Sequence, residues 1–136
     1  KSFFKKNNYD IGIKYHPSNI LNFKDKKNII CKQETLPLEE IFYKYDIIIC
    51  GNSTSAALEA YLLKKKVIII LSGSILNLSP LRSSPNVNFI SSSKDLEEVL
   101  INYTEFNKTN ISLENYLYLD KKIPKWLALL NSKSLT

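Results

Sequence analysis

Apolar positions along this chain fall into short runs rich in Ile and Val, which alternate with polar turns and with segments of helical spacing. A run that is apolar at consecutive positions is typical of a strand in a parallel sheet, because both faces of such a strand are buried. The pattern predicts five strands, at residues 11–15, 29–32, 46–50, 67–71 and 87–90. The third is almost entirely apolar, which indicates a central strand covered on both sides.

Apolar residues at helical spacing predict three helices, at residues 38–45 behind Pro37, at 55–64, and at 94–103 with Ser92 or Ser93 as the cap. Strand, helix and strand around the third run form a βαβ unit with a right-handed connection. Residues 72–86, which we name the Arg82 loop, are rich in Ser, Asn and Pro, and loops of this length are often functional. The pattern predicts an α/β fold on a mainly parallel sheet.

The length of 136 residues and the mass of 15.7 kDa correspond to one ordinary domain, so residues 1–136 are predicted to form a single folding unit. Residues 113–136 are expected to form a helical tail that packs across the sheet or against another domain. Because the chain begins with Lys1 and continues into polar sequence, we expect it to be an excised piece of a longer protein.

The formal net charge is +6, from 19 Lys and Arg against 13 Asp and Glu, but every such cation except Arg82 is a lysine. Scattered lysines and a near absence of Arg argue against nucleic acid as a partner, since recognition of bases and phosphates relies on Arg. The charge leaves open an attraction to a phosphorylated substrate or to an anionic membrane face.

Cys31 and Cys50 lie among apolar residues without His or Cys at ligand spacing, which indicates core residues in a reducing compartment. One His and two distant Cys do not supply the four ligands of a zinc site. No run approaches the roughly 18 apolar residues of a membrane span, and no signal peptide is evident. The sequence predicts a cytoplasmic protein, with peripheral contact at the cytoplasmic face of the inner membrane left open.

Two polar clusters follow predicted strands, which is where ligands bind in open α/β sheets. The His16 segment, residues 14–18, includes Lys14 and His16. The hydroxyl turn, residues 51–55, consists of Gly51, Asn52, Ser53, Thr54 and Ser55. Such a turn before a helix offers backbone N–H groups, hydroxyl donors and the positive end of the helix dipole, which suit a phosphate. The alternative is that Ser53 or Thr54 only caps the helix.

His16 is the only histidine of the chain. An imidazole there could donate to a phosphate oxygen and stabilise the charge that grows on a leaving nucleotide, or it is an ordinary loop residue. Glu59 lies about one helical turn after the hydroxyl turn. It is either within reach of ribose hydroxyls at the same helix end or a solvated helix position.

Several motifs occur in an order that resembles a known family. They are Lys14-Tyr15-His16-Pro17, Leu36-Pro37-Leu38, the strand at 46–50, the hydroxyl turn, Glu59-Ala60, Lys66-Val67-Ile68, Leu78-Ser79-Pro80-Leu81-Arg82 and Tyr118-Leu119-Asp120. The set resembles the C-terminal nucleotide-sugar-binding domain of two-domain glycosyltransferases of the GT-B architecture. It is similar to bacterial surface-carbohydrate and capsule enzymes, including sialyltransferase-like and glycerophosphotransferase-like members with a His-Pro motif followed by a Ser/Thr pair. The likeness covers most of residues 11–126.

The resemblance implies a Rossmann-like, three-layer α/β/α domain that is one half of a GT-B enzyme. It implies that His16 is catalytic and contacts the donor phosphate, with Lys14 beside it in the substrate-binding set. The hydroxyl turn would bind phosphate, Glu59 would hold the ribose, and Arg82 would meet a phosphate or a sugar carboxylate. Because no Asp-x-Asp motif is present, neither a metal nor another cofactor is expected, and the nucleotide sugar enters as substrate.

The implied function is donor binding in the synthesis of bacterial surface polysaccharide, such as capsule, lipopolysaccharide or O-antigen. The implied partners are a nucleotide-activated sugar, a glycan or lipid-linked acceptor, and an N-terminal domain that supplies the general base, for which this chain offers no candidate. The chain departs from the family where Lys64-Lys65-Lys66 stands in place of a Gly-x-Pro turn.

Two other interpretations stay open on the sequence. One is a non-catalytic nucleotide- or carbohydrate-binding module with the same fold. The other is an unrelated doubly wound domain, for example response-regulator-like or epimerase-like, in which the hydroxyl turn is only structural.

Overall fold

The computed structural model describes residues 3–4, 7–16, 31–52, 54–74, 76–102, 116, 124 and 127–128. This part of the chain contains five strands and three helices. The strands are β1 (Gly12–Ile13), β2 (Lys32–Gln33), β3 (Ile47–Gly51), β4 (Lys66–Ile70) and β5 (Val87–Ile90). The helices are α1 (Leu38–Lys44), α2 (Ala56–Leu62) and α3 (Ser93–Ile101). All strand pairs are parallel in the described residues, so the predicted α/β class is confirmed.

Some predictions lie outside the described residues. They concern the start of the second strand at 29–30, the end of the third helix at 103, nearly all of the tail at 113–136, and the site residues Pro17, Ser18 and Ser53.

The main sheet has the order β3-β4-β5. Its register pairs Gly51 with Ile70 and Ile70 with Ile90, so the carboxyl ends of the three strands lie at one edge. The N–H of Leu71 donates to the carbonyl of Ile90 at 2.8 Å, which extends the ladder past the end of β4. The hydroxyl turn, the start of the Arg82 loop and the beginning of α3 therefore share this carboxyl edge.

Side-chain alternation along β4 divides the core into two clusters, one on each face of the sheet. Val67 and Ile69 pack with side chains of α1 and α2 on one face. Ile68 packs with side chains of β5 and α3 on the other. All three β4 residues are fully buried, as the apolar run predicts for a central strand.

Two features differ from the prediction. Within the described residues the second strand is Lys32–Gln33, so it leaves out Cys31 and extends one residue past the predicted end at 32, and it pairs with β1 in a separate two-stranded sheet. The third strand is not the central one, because β3 has one neighbouring strand in the described part of the chain and forms the edge of that sheet, while β4 has a neighbour on each side. Ile49 of β3 is 42% exposed, so this strand is not buried along its whole length.

Helix α3 begins with a capping box at the predicted Ser92. The Oγ of Ser92 accepts from the N–H of Asp95 at 3.2 Å, and the carboxylate of Asp95 accepts from the N–H of Ser92 at 3.0 Å. The N–H of Ser91 donates to the same carboxylate at 2.9 Å. This bond, followed by that from the Ser92 hydroxyl, holds the pKa of Asp95 below its usual range.

Helix α2 ends in a Schellman motif, which explains the turn at the lysine run. The N–H of Lys64 donates to the carbonyl of Tyr61 at 2.9 Å, and the N–H of Lys65 donates to that of Ala60 at 3.0 Å. Lys64 has a φ of 61°, the left-handed region that favours glycine.

Replacing Lys64 with glycine is therefore expected to raise the free energy of unfolding by about 1 kcal/mol, because the left-handed backbone no longer strains a side chain. Chemical unfolding of Lys64→Gly and the parent measures the change. Lys65→Gly is the matched control, since Lys65 has no positive φ and should lose stability. Equal losses in the two variants would contradict the explanation.

Candidate functional site

The hydroxyl turn begins where β3 ends, at the carboxyl edge of the main sheet. Gly51 is the last residue of β3 and is exposed. A Cβ built on Gly51 would meet no atom within 4 Å in the described part of the structure. The backbone at this position is therefore open to the approach of a ligand.

Thr54 and Ser55 lead from this turn into α2. Ser55 is the N-cap but makes no side-chain cap hydrogen bond. The Oγ1 of Thr54 instead accepts from the N–H of Ala56 at 3.2 Å. The oxygen of Thr54 therefore makes a local bond to the first residue of α2 while Ser55 is the cap, and the hydroxyl proton of Thr54 is a donor that this bond does not use. Ser53, the other predicted cap, is not among the described residues.

The Arg82 loop contacts the hydroxyl turn directly. The Nδ2 of Asn52 donates to the carbonyl of Leu76 at 3.2 Å. One residue further, the carbonyl of Asn77 accepts from a guanidinium nitrogen of Arg82 at 3.2 Å. The structure thus brings Gly51, Asn52, Thr54, Ser55 and Arg82 to one region of the carboxyl edge, and the guanidinium of Arg82 is exposed there.

Buried residues of the same loop, which the sequence analysis named only as part of a motif and gave no structural role, hold it in place. Ser79 is 1% exposed and Leu81 is fully buried, and the Ser79 hydroxyl accepts from the N–H of Leu81 at 3.2 Å. The N–H of Ser79 donates to the side chain of Asn77 at 3.1 Å. The Asn77-x-Ser79-x-Leu81 spacing was the available signal, since Asn and Ser side chains favour such local turns.

Tyr116 ties the end of the Arg82 loop to the core. Its hydroxyl lies 2.7 Å from the Oγ of Ser84, and its ring packs edge-on against Tyr61 with centroids 5.7 Å apart. Burial is the main cause that raises the pKa of Tyr61, and the hydrogen bond with Tyr116 is the second. The loop is therefore anchored on both sides of Arg82.

The His16 segment belongs to the other sheet. Lys14 and His16 follow β1 and are both exposed. The Nζ of Lys14 donates to the carbonyls of Thr35 at 3.1 Å and Leu36 at 2.8 Å, which uses two of its three donors on the segment after β2. The structure thus places these two predicted site residues on a sheet separate from the hydroxyl turn.

Glu59 is exposed in the first turn of α2. Its backbone N–H donates to the carbonyl of Ser55 at 3.1 Å, which places it one helical turn after the hydroxyl turn, as predicted. Its exposed side chain fits both interpretations, namely a contact with ribose hydroxyls and a solvated helix position.

Glu34 links the two sheets, and sequence reasoning missed it. Its side chain is 3% exposed and accepts hydrogen bonds from the ammonium of Lys44 and, at 2.7 Å, from the hydroxyl of Tyr45. The ammonium of Lys32 lies 3.8 Å away. The hydrogen bond from Lys44 is the largest cause that lowers the pKa of Glu34, and the hydrogen bond from Tyr45 is the second. The same two bonds raise the pKa of Lys44 and the pKa of Tyr45.

Gly12 of β1 completes this cluster. A Cβ there would lie 2.6 Å from Cζ of Tyr45 and 2.9 Å from Cγ of Glu34, so only glycine lets the Tyr45 ring pack against β1. We name Gly12, Glu34, Lys44 and Tyr45 the Glu34 junction. No sequence motif marks it, because its members lie in separate segments of the chain and meet only in the fold.

The lowered pKa of Glu34 predicts acid sensitivity. A carboxylate whose folded pKa lies below its unfolded value of about 4.3 contributes stability above that pH and loses it as the pH falls through the folded pKa. We expect the stability difference between the parent and Glu34→Gln to be largest near neutral pH and to shrink below about pH 4. Chemical unfolding at several pH values measures it, and a difference independent of pH would contradict the assignment.

Cys50 packs against the first core cluster as a free thiol, and burial raises its pKa to about 11. Cys31 is also half-buried. Within the described ranges no three His, Cys, Asp or Glu side chains lie close enough to hold a metal ion. No helix in the part of the chain that the structure describes is long and apolar enough to cross a membrane.

Comparison with known proteins finds no matching family model, no matching curated protein and no matching solved structure.

Proposed function

We propose that this chain is the donor-binding domain of a glycosyltransferase and that it binds a nucleotide-activated sugar at the carboxyl edge of the main sheet. The observation that carries the proposal is the contact between the hydroxyl turn and the Arg82 loop, through the bond from Asn52 to Leu76. This contact gathers hydroxyl, amide and guanidinium donors where parallel sheets bind ligands. The order of the sequence motifs supports the same assignment.

In this proposal the fold is a three-layer, Rossmann-like domain that forms half of a GT-B enzyme. The two core clusters on opposite faces of β4 support it, because helices α1 and α2 supply one cluster and α3 supplies the other. The parallel register of β3, β4 and β5 is the topology that such a domain requires.

Each site residue has a proposed chemical role. The hydroxyl of Thr54 and the open backbone at Gly51 bind the donor phosphate, while Arg82 forms a planar fork toward a phosphate or a sugar carboxylate. The acceptor hydroxyl forms a bond to the anomeric carbon as the bond to the nucleotide oxygen breaks. His16 donates to that phosphate and stabilises its growing negative charge, and the proton of the acceptor passes to a base on another domain.

The proposed setting is bacterial surface polysaccharide synthesis, with a glycan or a lipid-linked molecule as acceptor. Glu59 holds the ribose from its place one turn into α2. No role for a metal is proposed, since the phosphate charge is met by Arg82, His16 and hydroxyl and amide donors. Nucleic acid is not a proposed partner, because the cations are scattered lysines.

Calorimetric titration of the chain with CMP, CDP, UDP, GDP and dTDP tests the proposal. We expect at least one nucleotide to bind, and His16→Ala and Thr54→Val each to weaken it about tenfold through loss of a donor to charged phosphate. Thr54→Ser, which keeps the hydroxyl, is the matched control. The same loss is expected for a combined alanine change at Ser53 and Thr54.

No detectable heat with any nucleotide at millimolar concentration would overturn the proposed function. Unchanged binding by His16→Ala would overturn only the role of His16. Nucleotide binding without sugar transfer by the full-length protein would instead favour a non-catalytic binding module.

A further inference from the structure

The Glu34 junction is the described link between the two parts of the proposed site. Tyr45 is two residues before β3, which ends at the hydroxyl turn, and its ring packs against Gly12 of β1. Four residues after Gly12 the chain reaches His16. A change at the junction therefore moves the strand that carries His16 relative to the strand that carries Gly51.

The junction is built to hold one geometry. The Glu34 carboxylate is almost completely removed from solvent and accepts from two donors on adjacent residues, Lys44 and Tyr45. A buried charge with this many partners is costly to displace, because moving it leaves the carboxylate or its donors unsatisfied. Lys14 adds a second connection between the segment after β1 and the segment after β2, since its ammonium donates to two backbone carbonyls just after Glu34.

We propose that Glu34 is a positioning residue, which sets the place of His16 so that His16 and the hydroxyl turn act on one donor phosphate. This inference rests on the proposed function, and it assigns a role to a residue that contacts neither the nucleotide nor the sugar. Stability alone does not require a buried ion cluster here, because well-packed apolar residues serve that purpose equally well.

A double-mutant cycle between Glu34→Gln and His16→Ala tests the inference by calorimetric titration with the nucleotide that the parent binds, or with CDP if none stands out. Each single variant is expected to weaken binding about tenfold, and the double variant to bind no worse than the weaker single variant. The two losses do not add, because in Glu34→Gln the imidazole of His16 is displaced and already contributes nothing to nucleotide binding. Tyr45→Phe keeps the ring against Gly12 but loses one hydrogen bond, so a smaller loss is expected from it.

Val99→Ala is the stability control, since Val99 packs in the second core cluster, away from the junction. It should lose stability without loss of nucleotide affinity. Folded Glu34→Gln and Tyr45→Phe that bind as tightly as the parent, or losses that multiply in the double variant, would overturn the positioning role while leaving the proposed function standing. A parent chain that binds no nucleotide would overturn both.

Discussion

Replacing Phe42 with alanine is expected to lower the free energy of unfolding by about 3–5 kcal/mol, the range for truncating a fully buried aromatic side chain. Phe42 lies on α1, is 1% exposed, and belongs to the cluster that joins α1, α2 and β4. Its loss leaves a cavity in the cluster that also contains Val67 and Ile69 of β4. Denaturant unfolding followed by circular dichroism measures the change.

Tyr43, the next residue of α1, provides a matched control because it is an aromatic side chain that is 76% exposed. Tyr43→Ala should change stability by less than about 0.5 kcal/mol, as surface substitutions do. If Tyr43→Ala destabilised as much as Phe42→Ala, the assignment of α1 to this face of the sheet would be wrong.

Replacing Gly51 with valine is expected to weaken nucleotide binding at least about 100-fold while the fold is kept, which corresponds to about 2.7 kcal/mol. Gly51 has no positive φ, so a β-branched residue suits its strand conformation, and the Cβ enters open space. The same open space is where the donor phosphate approaches in the proposed complex. The side chain therefore excludes the ligand rather than disturbing the core.

Asp46→Val is the control for this substitution, because Asp46 is exposed and directly precedes β3 at the opposite edge of the main sheet. It introduces the same side chain far from the proposed phosphate site and should retain most of the affinity. Calorimetry gives the affinities and thermal unfolding checks the fold. A folded Gly51→Val that binds nucleotide as the parent does would place the ligand elsewhere.

The strands of the main sheet and the helices were predictable because they carry strong and local signals. The apolar runs of β4 and β5 gave strands within one residue of those observed, and helical spacing gave α1 within one residue. The cap of α3 was predictable because Ser92 has an acidic partner, Asp95, three residues later. In the hydroxyl turn the cap was ambiguous, since three consecutive hydroxyl residues offer equivalent signals.

The β1–β2 sheet was harder to predict, and so was the Glu34 junction. Lys32 and Gln33 are polar and exposed, so nothing in their pattern marks a strand; pairing with β1 alone defines it. Glutamate is usually a surface residue, and Glu34 is buried against Lys44 and Tyr45, which lie at the end of the following helix. Tertiary contacts between polar residues that are distant in the chain produce no periodic pattern in the sequence.

For the site, sequence reasoning correctly placed the hydroxyl turn at the end of β3 and Glu59 one turn into α2. It did not anticipate that Asn52 joins this turn to the Arg82 loop, because that bond spans 24 residues. It also did not anticipate that the ammonium of Lys14 donates hydrogen bonds to the carbonyls of Thr35 and Leu36. The roles of all these residues in nucleotide binding are predictions.

A two-dimensional amide NMR titration with the nucleotide tests the central claim most directly, because it locates the ligand on the fold. We predict that the amide signals of Gly51, Asn52 and Thr54 shift together with those of the Arg82 loop. The signals of Asp46 and Lys64, at the opposite edge of the main sheet, should stay in place. Shifts confined to that opposite edge, or none at saturating nucleotide, would contradict the account.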